Sequence, residues 1–189
     1  MIHHRTLLAE TLLPATALGS TTIAASWRMG DDVTVQKSAV IQDDLYVAGT
    51  DVLIDGVVDG DLIVGAQNVT INGEVRGNVW VAGESVILNG RVSRSAHFAG
   101  SVLRVEKGAV IGRDLLAAGS LIDVASGSVI GRDVAFGGGQ ARMNGLVTRN
   151  ASGGANGIEI GGVIRGDATL AVSVTRLPVA SWTTSSSAA

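Results

Sequence analysis

The chain has 189 residues with a formal net charge of −3, and hydrophobic residues make up 46% of it against 16% charged residues. This balance is too apolar for a disordered chain, and it offers no overall basic surface for nucleic acid. The absence of cysteine excludes disulfide frameworks, thiolate zinc sites and thiol catalysis.

The first predicted segment covers residues 1–30, where an apolar stretch follows His3, His4 and Arg5. Two interpretations stay open: a signal peptide for export, or a short tail that touches the membrane surface. The chain contains no continuous apolar run of about 18 residues or more, so the sequence predicts no membrane-spanning helix.

The second predicted segment covers residues 31–178 and contains an internal repeat. Its first core position recurs in steps of 17 or 19 residues, at Leu45, Leu62, Val79, Ala96, Leu115, Val134, Ala151 and Ala168. Within each repeat apolar residues follow a period of two, which is typical of β-strands. Gly153 is the one predicted core position of the first seven repeats that is not apolar.

The strand segments are separated by Gly, Asn and Asp corners, in a short form at 55–61 and a form two residues longer at 35–44, 105–114 and 124–133. The long form at 35–44 implies a partial leading strand through Val33 and Val35. We therefore predict an all-β fold: a single-stranded parallel β-helix, or solenoid, of about eight coils of 17–19 residues. A hairpin sandwich would also alternate, but its loops would not recur with this regularity. The polar residues 179–189 are predicted to be a disordered tail.

The segments GDDVTV (30–35), DDLYVAG (43–49), VLIDG (52–56) and NVTINGEVRGNVWVAGESVILNG (68–90) resemble bactofilins, the polymer-forming cytoskeletal proteins of bacteria, in their extended, glycine-rich form. The resemblance implies a right-handed β-helix that polymerises end to end without a nucleotide. We accordingly expect a non-enzymatic scaffold whose partner is itself, with the membrane surface or cell-wall proteins and polymers as further partners. The expected location is the bacterial cell envelope, either membrane-associated or exported, or alternatively the cytoplasmic side of the inner membrane.

Polymerisation is expected at the two ends of the β-helix, where terminal coils leave strand edges unpaired. The residues that we assign to these ends are Val33, Val35, Ile41, Leu45, Val163, Ile164, Leu170 and Val172. Residues 31–90 carry ten acidic and two basic side chains, whereas residues 91–176 carry six acidic and ten basic ones. This asymmetry favours head-to-tail contact, while the resemblance implies that like ends join.

An apolar and aromatic stripe is predicted on the outer surface of the rod. It consists of Tyr46, Ile63, Trp80, His97 and Leu116. Exposed apolar surface of this kind marks a contact site, unless residues 1–30 fold back and cover it. The first interpretation supports an alternative function, a monomeric secreted β-solenoid that binds a surface polymer or protein.

Two polar columns also recur on the outer surface. A column of Asp, Asn and Ser lies directly before the first core position, or anchor, of each repeat. It fits either a calcium ladder or corners where these side chains close a turn through their own backbone, and we favour the turns. A basic corner consists of Arg94, Arg113, Arg132 and Arg149. It either meets an anionic polymer or pairs with the neighbouring Asp114 and Asp133.

No catalytic, cofactor-binding or metal-binding residue is predicted. The segment 108–112 begins and ends with Gly but is followed by Arg-Asp, so it is not a phosphate-binding loop. The VIGRD segments at 110–114 and 129–133 resemble acyltransferase hexapeptides, but a strict six-residue period would give steps of 18 rather than 17 and 19. We therefore predict neither an enzyme nor a nucleotide-binding protein.

Overall fold

A computed structural model describes residues 26–176, and all the regular secondary structure in this range is β-strand. The predictions for residues 1–25 and for the polar tail at 179–189 lie outside the described residues. The strands alternate strictly between a long and a short type along the chain, so that two parallel sheets wind around one core.

Nine long strands form the first sheet, and each is paired in parallel with the next. They are β1 (Ser26–Val35), β3 (Leu45–Ile54), β5 (Leu62–Ile71), β7 (Val79–Leu88), β9 (Ala96–Val105), β11 (Leu115–Val124), β13 (Val134–Met143), β15 (Ala151–Ile160) and β17 (Ala168–Arg176).

Eight two-residue strands form the second sheet and connect the long strands. They are β2 (Val40–Ile41), β4 (Val57–Val58), β6 (Glu74–Val75), β8 (Arg91–Val92), β10 (Val110–Ile111), β12 (Val129–Ile130), β14 (Leu146–Val147) and β16 (Val163–Ile164).

The register confirms the predicted β-solenoid, with nine coils where about eight were expected. Leu45 pairs with Leu62 at a step of 17 residues, and Leu115 pairs with Val134 at a step of 19. The additional coil is formed by β1, which begins at Ser26 and pairs with Leu45. Residues 26–30 therefore belong to the first coil and not to the N-terminal segment, because the long turn at 36–38 allows a full 19-residue coil before Leu45.

Each long strand bends in its middle and so contributes to two faces of the rod. In β3 and β5 the first, third, eighth and tenth residues are buried, so the inward parity changes halfway. Small residues, mostly Gly and Ala, occupy the bend. A Cβ atom on Gly138, for example, would overlap the backbone carbonyl oxygen of Gly119 in the preceding coil.

The core consists of stacked columns of Val, Leu, Ile and Ala, with two inward phenylalanines, Phe98 and Phe136. The non-apolar core position, Gly153, lies directly beside Phe136 in the register. A Cβ atom at Gly153 would come within 2.8 Å of the Phe136 ring, so glycine leaves room for the larger neighbour. This local exchange of volume keeps the core columns closely packed.

The two predicted turn forms are present. In the long form a β-turn closes between Ala109 N–H and the Glu106 carbonyl at 3.0 Å, and between Ser128 N–H and the Ala125 carbonyl at 3.2 Å. Gly108 and Gly127 lie in these turns with φ of 87° and 86°, a backbone conformation that favours glycine. The two additional residues thus lengthen a turn without disturbing the strands.

Candidate functional site

The residues predicted for the N-terminal end differ in their accessibility. Val33, Val35 and Leu45 are buried in the core, whereas Ile41 is partly exposed and packs against it. Leu45 lies in the second coil, between β1 and β5, and is fully covered. A contact at this end would therefore reach Ile41 before it reached Leu45.

At the C-terminal end the predicted residues are more accessible. Ile164, Leu170 and Val172 are partly buried and pack against the core, and Val163 is 57% exposed. The column that contains Leu170 is fully buried in the middle of the rod, for example at Val64 and Val81. Leu170 is partly exposed because no further coil follows it within residues 26–176.

The terminal strands of the long sheet are β1 and β17. Each pairs with one neighbour among residues 26–176, so half of its backbone N–H and C=O groups face away from the described sheet. No helix covers either edge in this part of the chain. Edges of this kind form hydrogen bonds with another strand unless something blocks them.

The predicted outer stripe is present and is one coil longer than expected. The parallel register aligns Trp27 with Tyr46, and the column continues through Ile63, Trp80, His97 and Leu116. Trp27 is 68% exposed, Trp80 39% and Leu116 50%, while the other three members are partly buried. The stripe therefore spans six coils of one face.

Aromatic stacking along the stripe follows directly from the register. The rings of Trp27 and Tyr46 are 4.5 Å apart with an interplanar angle of 15°, and those of Trp80 and His97 are 5.2 Å apart at 6°. In-register parallel strands place equivalent side chains about 4.8 Å apart, which is close to the stacking distance of aromatic rings. Two pairs of the stripe are therefore stacked from one coil to the next.

A shallow depression lies on this stripe. It has a volume of about 340 Å³ and is lined by Ile63, Trp80, His97, Leu116 and the adjacent alanines, among other residues. The His97 Nδ1 atom is buried here and has no hydrogen-bond partner among the described residues. The depression could hold an apolar group, and the Nδ1 atom of His97 is a polar atom in it without a hydrogen-bond partner among the described residues.

Trp27 was missed in the sequence because residues 1–30 were assigned to an N-terminal segment. The signal that would have found it is the long turn at 36–38, which resembles the turns at 106–108 and 125–127. A 19-residue step back from Tyr46 leads to Trp27.

The Asp, Asn and Ser column before the repeat anchors connects one coil to the next. The Asp44 carboxylate accepts a hydrogen bond from the Asp61 N–H at 2.7 Å, and the Asp61 carboxylate accepts one from the Asn78 N–H at 2.6 Å. The same arrangement recurs from Asp133 to the Asn150 N–H at 3.0 Å. These oxygens accept hydrogen bonds from backbone N–H groups of the following coil, not from their own turn as expected. Among residues 26–176 no cluster of three or more His, Asp or Glu side chains could hold a metal ion.

The basic corner forms a continuous column. Backbone hydrogen bonds link Arg113 to Arg94, Arg132 to Arg113, and Arg149 to Arg132 at 3.0–3.1 Å. All four side chains are exposed. Arg132 lies 3.7 Å from the Asp114 carboxylate and Arg149 lies 3.6 Å from that of Asp133, as the pairing interpretation expects.

Comparisons with known proteins leave the family open. No family model matches the chain, and neither the curated proteins nor the solved structures include a significant match. Residues 26–176 contain no helix long and apolar enough to cross a membrane. The fold and the surfaces described above are therefore the basis for a functional proposal.

Proposed function

We propose that this protein is a non-enzymatic scaffold that self-assembles end to end, without a nucleotide or other cofactor, into filaments or sheets at the bacterial cell envelope. The observation that carries the proposal is the state of the two terminal coils. Both leave strand edges without a partner in the described sheet, and the C-terminal coil leaves core positions such as Leu170 partly exposed.

The energetics of a solenoid favour such assembly. Ordering a coil of 17 residues costs roughly 17–34 kcal/mol of backbone entropy, and its own inward side chains do not recover this. Each internal coil is stabilised by hydrogen bonds and apolar contacts on both sides, whereas a terminal coil has these on one side. A second copy that stacks on a terminal coil would supply the missing contacts.

The resemblance of residues 30–56 and 68–90 to bactofilins points to the same role and to the cell envelope. The purified full chain, without nucleotide, should form filaments or sheets that are visible by negative-stain microscopy. Assembly should be recorded at about 0.1 and about 0.5 M salt, because head-to-tail contact driven by charge would weaken at the higher concentration. Dispersed rods of about 40 Å at micromolar concentration would contradict the proposal.

A second candidate function is binding of a cell-surface polymer or protein by the outer stripe. It is favoured by the exposure of Trp80 and Leu116 around an apolar depression. Trp80→Glu should then abolish cosedimentation of the chain with insoluble cell-wall polymer and leave any filaments intact. Ser152→Glu is the matched control, since the exposed Ser152 lies in the same column beyond the stripe, on the internal strand β15. Equal cosedimentation of both variants with the wild type would exclude the stripe as the binding surface.

A further inference from the structure

The first coil carries a charged residue in a core column. Arg28 is in register with Val47, which in turn is in register with Val64, and both valines are buried. The other inward residue of this half of β1 is Ser26, in register with the buried Leu45. The inward residues in the first half of β1 are thus polar. Those in its second half, Val33 and Val35, are buried in the core.

The Arg28 side chain reaches the edge of its own strand. Its Nη1 atom donates a hydrogen bond to the Thr34 carbonyl oxygen at 3.4 Å. The Val35 carbonyl accepts a hydrogen bond from Asp55 N–H in the next coil at 2.8 Å. Because alternate residues of a strand direct their backbone groups to opposite sides, the Thr34 carbonyl faces the open edge. Arg28 therefore extends along the N-terminal edge and occupies one of its acceptors.

In the C-terminal coil the position that corresponds to Arg28 is apolar. The inward positions Ala168 and Leu170 of β17 are apolar and partly exposed. Leu170 belongs to the same column as Arg28, eight coils later. This column therefore ends with the guanidinium group of Arg28 in the N-terminal coil and with the isobutyl side chain of Leu170 in the C-terminal coil.

We infer that Arg28 caps the N-terminal edge and directs self-association to the C-terminal edge, where the partner is a second copy of this chain. This inference rests on the proposed function. Stacking N-terminus on C-terminus would bury Arg28 between Val47 and Leu170 of a second copy. A contact between two N-terminal edges would bring two Arg28 side chains together.

Contact between two C-terminal edges avoids both arrangements. It pairs β17 with β17 and covers Leu170 without enclosing a guanidinium group. Removing a charge from water without a carboxylate partner is expensive, so this difference decides which contact forms first. Contacts at the N-terminal edge require Arg28 to move out of the column, and they are the limiting step of longer assembly.

The test measures the assembly of the full chain against concentration by sedimentation velocity. Arg28→Val restores the valine column and should lower the concentration at half-assembly on the order of tenfold. Arg91→Val is the matched control, an exposed arginine in the middle of the rod, and should leave that concentration unchanged. Leu170→Asp should abolish the first dimer. Far-ultraviolet circular dichroism identifies any variant that does not fold.

The orientation of the contact is tested with single thiols, because the chain has no cysteine. With a short bismaleimide, Ser173→Cys on β17 should give covalent dimers at low micromolar protein, and Thr34→Cys on β1 should not. Combining Thr34→Cys with Arg28→Val should allow cross-linking at the N-terminal edge.

Two results would overturn the inference while leaving the scaffold intact. One is that the Arg28→Val variant assembles at the same concentration as the wild type, while the separate Leu170→Asp variant does not assemble. The other is equal cross-linking of Thr34→Cys and Ser173→Cys. A chain that stays monomeric in the wild type and in Arg28→Val would instead contradict the proposed function itself.

Discussion

The acidic half of the rod, residues 31–90, and the basic half, residues 91–176, share one coil geometry but stabilise their outer columns differently. In the acidic half several carboxylates of one coil meet a donor on the next. The Asn68 amide donates to Asp51 at 2.8 Å, the Asn72 amide donates to Asp55 at 2.7 Å, and the Arg76 guanidinium lies 3.0 Å from Asp59. Donors on the following coil thus offset part of the acidic excess, although Asp32 and Asp51 remain in register on adjacent coils.

Arg76 shows how local this compensation is. Its hydrogen bond to Asp59 raises the pKa of Arg76, and the charges of Asp59 and Glu74 act in the same direction. Arginine is charged throughout the accessible pH range, so the contact does not introduce a pH dependence from this side chain.

In the basic half the ion pairs are longer than the contact between Arg76 and Asp59, and similar to the 3.7 Å between Arg76 and Glu74. Arg132 with Asp114, Arg142 with Glu159, and Arg149 with Asp133 are separated by 3.6–3.8 Å. Exposed pairs of this length contribute little to stability. The comparison shows that the register between coils, more than the net charge of a half, decides how outer side chains interact.

The largest expected loss of stability comes from substitutions in the core, and it should be similar in the acidic and the basic half. Leu62→Ala in the acidic half and Leu115→Ala in the basic half remove fully buried side chains from the same column. Each should lower the free energy of unfolding by about 2–5 kcal/mol, through lost burial and a residual cavity. Urea unfolding monitored by circular dichroism measures it. A loss below about 1 kcal/mol in either half would contradict the shared core.

The next effect concerns the hydrogen-bonded column before the anchors. Asp61→Ala removes the acceptor of the Asn78 N–H and should lower the free energy of unfolding by about 1–2 kcal/mol. Asp61→Asn keeps an acceptor oxygen and should lose less than half of that amount. If both substitutions had the same effect, the carboxylate charge rather than the hydrogen bond would be responsible.

A smaller loss of stability, caused by charge repulsion between adjacent coils, is expected in the acidic half and not in the basic half. Asn72 lies between Asp55 and Asn89 and is hydrogen-bonded to both, at 2.7 Å in each case. Asn72→Asp would place two carboxylates on adjacent coils and should cost about 0.5–1 kcal/mol at low salt, less at about 0.5 M salt.

Asn144→Asp in the basic half is the matched control for this substitution. Asn144 occupies the same column, and its neighbours there, Ala125 and Gly161, carry no carboxylate. We expect thermal unfolding at low salt to distinguish Asn72→Asp from the wild type but not Asn144→Asp. A salt-independent loss for Asn72→Asp would show that repulsion is not its cause.

The smallest effect is expected at the basic corner. Arg149→Gln removes the exposed ion pair with Asp133 and should change the free energy of unfolding by no more than about 0.5 kcal/mol. Arg113→Gln, which has no ion pair within 4 Å among residues 26–176, serves as the reference. A loss above about 1 kcal/mol for Arg149→Gln alone would show that this pair has a structural role.

Much of the fold could be predicted because the same coil pattern occurs about eight times in the sequence. The period of two, the 17- and 19-residue steps and the turn residues identified the parallel solenoid and its core columns. Even the exception at Gly153 has a local reason, since Phe136 in the adjacent coil fills the space. Residues 26–30 were misassigned because Arg28 and Ser26 interrupt the apolar pattern at the place where the rod begins.

The sequence by itself determined the coil length, the inward columns and the residue types on each outer column, because every coil must bury the same positions against its neighbours. Only the tertiary structure decided which side chains meet across coils, such as Trp80 with His97 and the aspartate oxygens with backbone donors of the next coil. It also revealed that Arg28 extends along one edge while Leu170 remains partly open at the other. These contacts depend on ring orientation and side-chain reach at a coil spacing of about 4.8 Å, which periodicity does not specify.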